Sequence, residues 1–394
     1  NPMKSYSNSR VSSIRNFFAP IDGVLMIILL LIALLSLVTM WSAASDKPQR
    51  FDDHVRNLII GFSVIVVFAY IPTQWFMKAA VPLYALGVLL LIAVAAFGLT
   101  KLGAKRWLNI GVTIIQPSEL LKIAVPLMLA YFFHITGVVY GKRAWQTYAV
   151  AAALVLVPFL LIAKQPDLGT ALLVVFAGAY VIFFAGLHWK VIFAVFVLMA
   201  VLLAAVIRPE TNHYLLEKYQ QDRIYVLLHN ETVKSGEKKT PEQIAKDREM
   251  KKKGYQIEQA VTAIGSGGWL GKGWQQGTQT HLQFLPERST DMVLAVFSEE
   301  FGLAGVILLL VLYSMLILRG LSIAYGAATR FERLLAGAIS MIIFTYVFVN
   351  MGMVAGMLPV VGVPLPFMSY GGTALVTLGV GCGMLMSVRH HRVR

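Results

Sequence analysis

Three carboxylates occupy a stretch of chain that has every other property of a membrane span. In FLPERSTDMVLAVFSEEFG, residues 284–302, Asp291 stands at the mouth of an apolar run that continues to Arg319, and Glu299 and Glu300 lie inside it. An ionisable group within a membrane costs roughly 2.5–3.5 kcal/mol on insertion scales, so it is a functional candidate by default. A carboxylate at the outer boundary suits a general base that takes the proton of an attacking hydroxyl. The ordinary alternative is an acid favoured by the dipole at a helix N-terminus, with Ser289 or Thr290 as the cap. A capping acid does not account for Glu299 and Glu300. On a continuous helix Glu299 lies about 12 Å beyond Asp291 and within about 80° of the same face. Adjacent acids point to different faces, so at most one of the pair shares a cavity with Asp291, and the other binds a neighbouring helix.

Four more segments carry polar groups among apolar ones. In QPSELLK, 116–122, Glu119 and Lys122 are three apart and share a helix face. They either neutralise each other or, with Gln116 and Ser118, wall a polar cavity under the outer surface. In KQPDLGT, 164–170, Asp167 is placed to cap the next helix in a turn too short to do more than reverse the chain. The glycine run 265–273 imitates a phosphate-binding loop and fails as one: Ser266 takes the place of the first glycine, and Gly273 stands where Ser or Thr should hold magnesium. It is left as a close-packing backbone or as a set of N–H groups for a substrate phosphate. In LPVVGVPLPFMSYGG, 358–372, Pro359, Pro364 and Pro366 forbid regular helix. Such backbone at membrane depth must be buried in protein or line a cavity. Gly352 and Gly356, just before it, are expected at a close helix contact.

These groups are positioned by a chain that is 57% hydrophobic and 14% charged, far from the quarter charged of a soluble domain. Its single cysteine, Cys382, rules out an internal disulfide and a cysteine-built metal site. With about 20 apolar residues to a crossing, spans are expected near 22–43, 57–72, 78–99, 117–134, 146–163, 168–187, 190–208, 290–318, 334–356 and 370–388. The first is too long for a signal-peptide core and is read as a retained helix. The fold class is therefore an all-α integral membrane protein of about ten transmembrane helices with both termini on one side. The domain plan is a tail at 1–21, one membrane domain at 22–388 and a tail at 389–394.

Lys4, Arg10, Arg15, Lys78, Lys142, Arg143, Lys190, Arg319, Arg330, Arg333, Arg389, Arg392 and Arg394 fall on one side, with only Asp22 and Glu332 among them. That side is cytoplasmic by the positive-inside rule. The net charge of +14 thus reports topology and attraction to anionic membrane lipids, and no nucleic-acid partner is expected. The one long loop, about 209–290, is extracytoplasmic and nearly neutral, with a capped surface helix expected from Thr240 to Lys253.

Together these segments resemble one family, the SEDS proteins (shape, elongation, division and sporulation). The resemblance rests on QPSELLK, KQPDLGT, AIGSGGWLGKGWQQGTQTHLQFLPERSTD at 263–291 and the 358–372 run, and GAKRWLNIG at 103–111 fits its elongation branch. It covers essentially the whole chain, with a longer and more charged insert at Glu231–Lys253. It implies a peptidoglycan glycosyltransferase of the bacterial inner membrane, polymerising lipid II into a growing glycan strand beside a class B penicillin-binding protein. The family's essential acid falls on Asp291 and its paired charges on Glu119 and Lys122. For the departing pyrophosphate Lys122 is the first candidate, followed by Arg106, Lys272 and Arg288. Asp167, Glu299, Glu300, Ser369 and Tyr370 are read as supporting. Glu119 either orients Lys122 or holds a divalent cation, Mg or Mn; no dedicated cage is visible. Two rivals share much of this evidence: a transporter that flips lipid II, and a non-catalytic scaffold for the crosslinking partner.

Overall fold

The computed structural model describes residues 19–101, 104–109, 114–137, 142–165, 167–186, 197, 256–278 and 289–391. Apart from residue 197, the expected span at 190–208, the charged loop with its helix at 240–253, and Arg288 lie outside the described residues, as do 1–18 and 392–394 of the two tails.

Helices α1 (Gly23–Ala43), α2 (Pro48–Tyr70) and α3 (Thr73–Phe97) come first. Three short strands follow, β1 (Leu99–Lys101), β2 (Ala104–Asn109) and β3 (Ile114–Ile115), antiparallel in the order β1-β2-β3. Then come α4 (Pro117–Thr136), α5 (Lys142–Ala163), α6 (Leu168–Phe184), α7 (256–267), α8 (Val293–Tyr325), α9 (Arg330–Val354) and α10 (Gly372–His390). Eight of these are long and apolar enough to cross a membrane, and α6 is a shorter apolar helix. The small sheet was not expected from the sequence.

Several boundaries move. The span expected from residue 57 begins at Pro48, because α2 extends past its apolar part into a charged turn that opens on proline. The span expected from 78 begins at Thr73. The span expected at 290–318 is two helical pieces: α8 begins at Val293, and Gly302 breaks it with φ 64° and ψ −165°.

That break is closed from outside. The carbonyls of Glu299 and Glu300 accept from the N–H groups of Lys272 and Gly273 at 2.9 and 3.1 Å. The N–H groups of Leu303 and Ala304 donate to the carbonyls of Gly268 and Trp269 at 2.9 and 3.0 Å. The helix-end groups that a break leaves unmade are thus exchanged with the glycine run. The run is close-packing backbone, and its Lys272 and Gly273 N–H groups are already used, so they are not available for a phosphate.

Helices α9 and α10 are the interior of the bundle, with 72% of their spanning windows buried, followed by α4 at 56%; α2 and α8 reach 28% and α3 only 22%. The outer helices turn Ile59, Leu89, Leu160 and Leu318 outward, where lipid tails are the natural solvent. Against this core lies the proline-bearing segment 358–371, which is irregular and buried at Val363, Leu365, Phe367 and Met368. Its carbonyls are taken by side chains of three helices: Val363 by Asn350, Pro366 by Tyr313 and Met368 by Ser36, at 2.7, 2.6 and 3.0 Å. Gly356 ends α9 with φ 74°, its N–H donating to Met353, and lies at the expected close helix contact: a Cβ there would stand 3.3 and 3.4 Å from Val261 and Ile257 of α7.

Candidate active site

The first residues of α4 and α6 meet at one end of the bundle, the end expected to face outward. Asp167 caps α6, its Oδ1 accepting from the Thr170 N–H at 3.2 Å. Its Oδ2 accepts from Gln116 Nε2 at 3.1 Å and pairs with the Arg106 guanidinium of β2 at 3.4 Å. The turn at 164–170 therefore does more than reverse the chain: it binds β2 and the start of α4 into one polar corner. Ser118 is buried in the first turn of α4.

One turn deeper, Lys122 is 3% exposed. Its ammonium donates to Glu119 Oε1 at 2.6 Å and to the Tyr346 hydroxyl at 2.8 Å. An ammonium has three N–H donors, so one remains. Glu119 Oε2 accepts from Thr377 of α10 at 3.3 Å. Beside this group a narrow cleft between α4, α9 and α10 is lined by Lys122, Tyr346 and Thr377 and by Ile123, Ile339, Ile342, Ile343 and Leu378. The cleft is nearly closed, with room for about one water molecule.

Asp291 lies in the turn just before α8 and is half-buried. The expected cap is absent: the helix N-cap is Met292, with no side-chain capping bond. Ser289 Oγ instead accepts from Arg50 of α2 at 2.7 Å, and the Ser289 carbonyl accepts from the Tyr370 N–H at 2.9 Å. The Asp291 carbonyl accepts from Asn350 Nδ2 at 3.0 Å. A side chain at Gly362 would stand 3.4 Å from Asp291 Oδ2, and one at Gly169 would stand 2.5 Å from the Val361 carbonyl. The proline-bearing segment thus runs between Asp291 and the start of α6. Within it Ser369 Oγ accepts from the Leu365 N–H at 2.8 Å.

Helix α9 joins the two groups. Tyr346 holds Lys122, and Asn350 holds the Asp291 turn; they are four residues apart, on one face and about 6 Å along the axis. Glu299 and Glu300 are committed elsewhere. Glu299 is buried and pairs with Lys272 at 2.7 Å, with Thr278 donating to the same oxygen. Glu300 accepts from Ser42 of α1, the neighbouring helix that one of the two acids was expected to bind. Lys272, expected near a substrate phosphate, therefore spends its charge on Glu299 at the break in α8.

Glu119 does not fit a divalent cation. Its two oxygens are engaged by Lys122 and Thr377, and a fixed ammonium at 2.6 Å already neutralises it. Among the described residues no three of His, Cys, Asp and Glu converge as a metal site.

Arg50, Tyr346, Asn350 and Thr377 were not singled out from the sequence. Tyr346 and Asn350 carried a usable signal, two polar residues four apart in a strongly apolar helix. Arg50 had none, since it reads as one more loop cation.

The fold and site define a multi-pass membrane protein with charged side chains gathered among the ends of its helices. A family model described as cell cycle protein, spanning FtsW, RodA and SpoVE, matches residues 22–394, and the chain belongs to that family. It is 43% identical over 372 residues to the peptidoglycan glycosyltransferase MrdB of Escherichia coli K12, covering 94% of each chain. It is 31% identical over 385 residues to the stage V sporulation protein E of Bacillus subtilis, covering 94% of this chain and 97% of the relative. Among solved structures it resembles a chain of a peptidoglycan synthase complex that coordinates polymerization and crosslinking, with TM-score 0.77, 27% identity and coverage of 94% and 98%. It also resembles the rod shape determining protein RodA of Thermus thermophilus, with TM-score 0.65, 27% identity and coverage of 95% and 98%.

Proposed function

We propose that this inner-membrane protein is a peptidoglycan glycosyltransferase that polymerises lipid II outside the membrane during elongation, with Asp291 as general base. It works beside a class B penicillin-binding protein that crosslinks the peptides. The relative named MrdB, at 43% identity over nearly the whole chain, supports the activity. The arrangement of Lys122 and Asp291 along one face of α9 carries the assignment of roles.

In this reading Asp291 takes the proton of the 4-hydroxyl of one N-acetylglucosamine. That oxygen attacks the anomeric carbon of the N-acetylmuramic acid of a second lipid II. The bond from that carbon to the phosphate oxygen breaks, and undecaprenyl pyrophosphate leaves with the electron pair. Lys122 offsets the departing charge through its remaining N–H, with Arg106 as the nearer-surface cation. Direct displacement turns an α-linked lipid into a β-linked polymer, so no covalent sugar–enzyme intermediate is needed. Glu119 and Tyr346 orient Lys122.

The transporter reading has less support. It needs a route to the cytoplasmic face, where Asp22 joins α1 to Arg319 and Arg389 and Thr73 donates to Glu332 at 2.6 Å. Supplying lipid II in detergent, with the purified crosslinking partner present, decides the matter. The parent should make glycan and Asp291→Asn should make less than about a hundredth as much; near-parental synthesis by the variant would remove Asp291 as the base, and no synthesis by the parent would remove the polymerase reading.

A further inference from the structure

The turn 289–292 that carries Asp291 joins its own helix through the main chain, the Ala295 N–H donating to the Met292 carbonyl at 3.0 Å. Helix α8 starts without a side-chain cap, and long-range bonds add to what places the turn. Two of them reach main-chain carbonyls: Tyr370 N–H to Ser289, and Asn350 to Asp291. The third joins two side chains. Arg50, in the first turn of α2, donates to Ser289 Oγ at 2.7 Å, and Ser289 is 1% exposed.

Arg50 is costly where it stands. The N-terminal turn of a helix favours acids and disfavours cations, and α2 has neither an acid in that turn nor a capping side chain. One turn further along the same face, His54 is fully buried and bonds Ser36 Oγ at 2.7 Å, while Ser36 donates to the Met368 carbonyl. The start of α2 therefore braces both strands of chain that flank Asp291: the turn before α8 through Arg50, and the proline-bearing segment through His54 and Ser36.

We propose that Arg50 is a positioning residue for Asp291, fixing through Ser289 the register in which the carboxylate meets the sugar hydroxyl. The proposal rests on Asp291 being the base. Arg50 touches no reacting atom in this scheme, and its effect is on turnover, because a displacement of about 1 Å can cost a hundredfold in rate.

The test is steady-state glycan synthesis from lipid II in detergent by the full chain with its partner, for the parent, Arg50→Ala, Arg50→Lys, Ser289→Ala, the double variant of Arg50→Ala with Ser289→Ala, and Asp291→Asn. Arg50→Ala and Ser289→Ala should each lower kcat roughly 10- to 100-fold with KM nearly unchanged. The double variant should be no slower than the slower single one, since both remove one bond, and Arg50→Lys should recover part of the loss. Parental kcat in Arg50→Ala, a raised KM at unchanged kcat, or losses that multiply in the double variant would each overturn the proposal. If Arg50→Ala does not fold, Ser289→Ala tests the same bond from its other end. An active Asp291→Asn brings down the assignment of the base and this proposal with it; an inactive Asp291→Asn beside a fully active Arg50→Ala overturns the positioning role alone.

Discussion

Lys122 is the residue on which charge and structure are most tightly bound together. Its ammonium is enclosed by Glu119 and Tyr346, and removing one partner of a buried pair strands the other at about 3–5 kcal/mol. Lys122→Ala should therefore lower the melting temperature in detergent as well as the activity, which confounds it as a probe of substrate binding. Tyr346→Phe is the cleaner variant. It removes one acceptor at about 1 kcal/mol and leaves the ion pair, so a fall in turnover well beyond the change in melting temperature would mark Tyr346 as orienting the lysine. Equal stability and equal turnover in Tyr346→Phe would show that Glu119 alone sets its direction. At this scale the sequence was informative where partners are near in the chain. Glu119 and Lys122 are three apart, and Asp167 caps a helix that begins at the next residue. It was silent on Ser289, whose partner Arg50 lies 239 positions away, so a local cap was the natural and mistaken expectation.

Among the elements, the break in α8 does the most to place the site. It lets the short piece from Val293 to Phe301 leave the axis of the longer piece, and it directs Glu299 and Glu300 toward Lys272 and Ser42. The conformation at Gly302 is one that residues with a Cβ rarely adopt, and a Cβ there would collide with the Gly271 amide. Gly302→Ala should cost about 3 kcal/mol or more, read as a lowered melting temperature in detergent. Gly265→Ala is the control: the position is helical with open space around it, and alanine there should be neutral or slightly stabilising. Equal losses in both would mean that the break is not a strained joint. The apolar runs that announced the spans could not announce this joint, since a glycine in an apolar helix is unremarkable until its backbone angles are known. For the same reason α2 was cut short: Asp52, Asp53 and Arg56 ended the apolar signal, while the helix continued to Pro48.

At the scale of the whole molecule, Asp22 and Glu332, the two acids expected among thirteen cations, each make specific ties between helices. Asp22 is fully buried, caps α1 through the Leu25 N–H at 2.8 Å, and pairs with Arg319 and Arg389 at 2.7 and 2.9 Å. Glu332 closes a capping box with Thr329 and accepts from Thr73. Asp22→Asn keeps the cap and loses the charge, and Asp22→Ala loses both. The first should cost less than the 3–5 kcal/mol of a fully enclosed pair, because Arg319 and Arg389 are 27% and 41% exposed and water can take up their charge. The second should cost about 1 kcal/mol more. Both should leave the turnover of the folded fraction at the parental value; a lost activity at unchanged stability would tie this cluster to the chemistry.

The chain crossing at the joint in α8 is closed by four peptide hydrogen bonds, which do not depend on the side chains at its tip. Trp269 and Leu270 at its tip are 72% and 83% exposed, whereas a Cβ at Gly267 or Gly271 would run into the main chain of Ser298 or Glu300. Under saturation mutagenesis selected for growth, positions 267, 271 and 302 would admit glycine and little else, while 269 and 270 between them would drift across most of the alphabet.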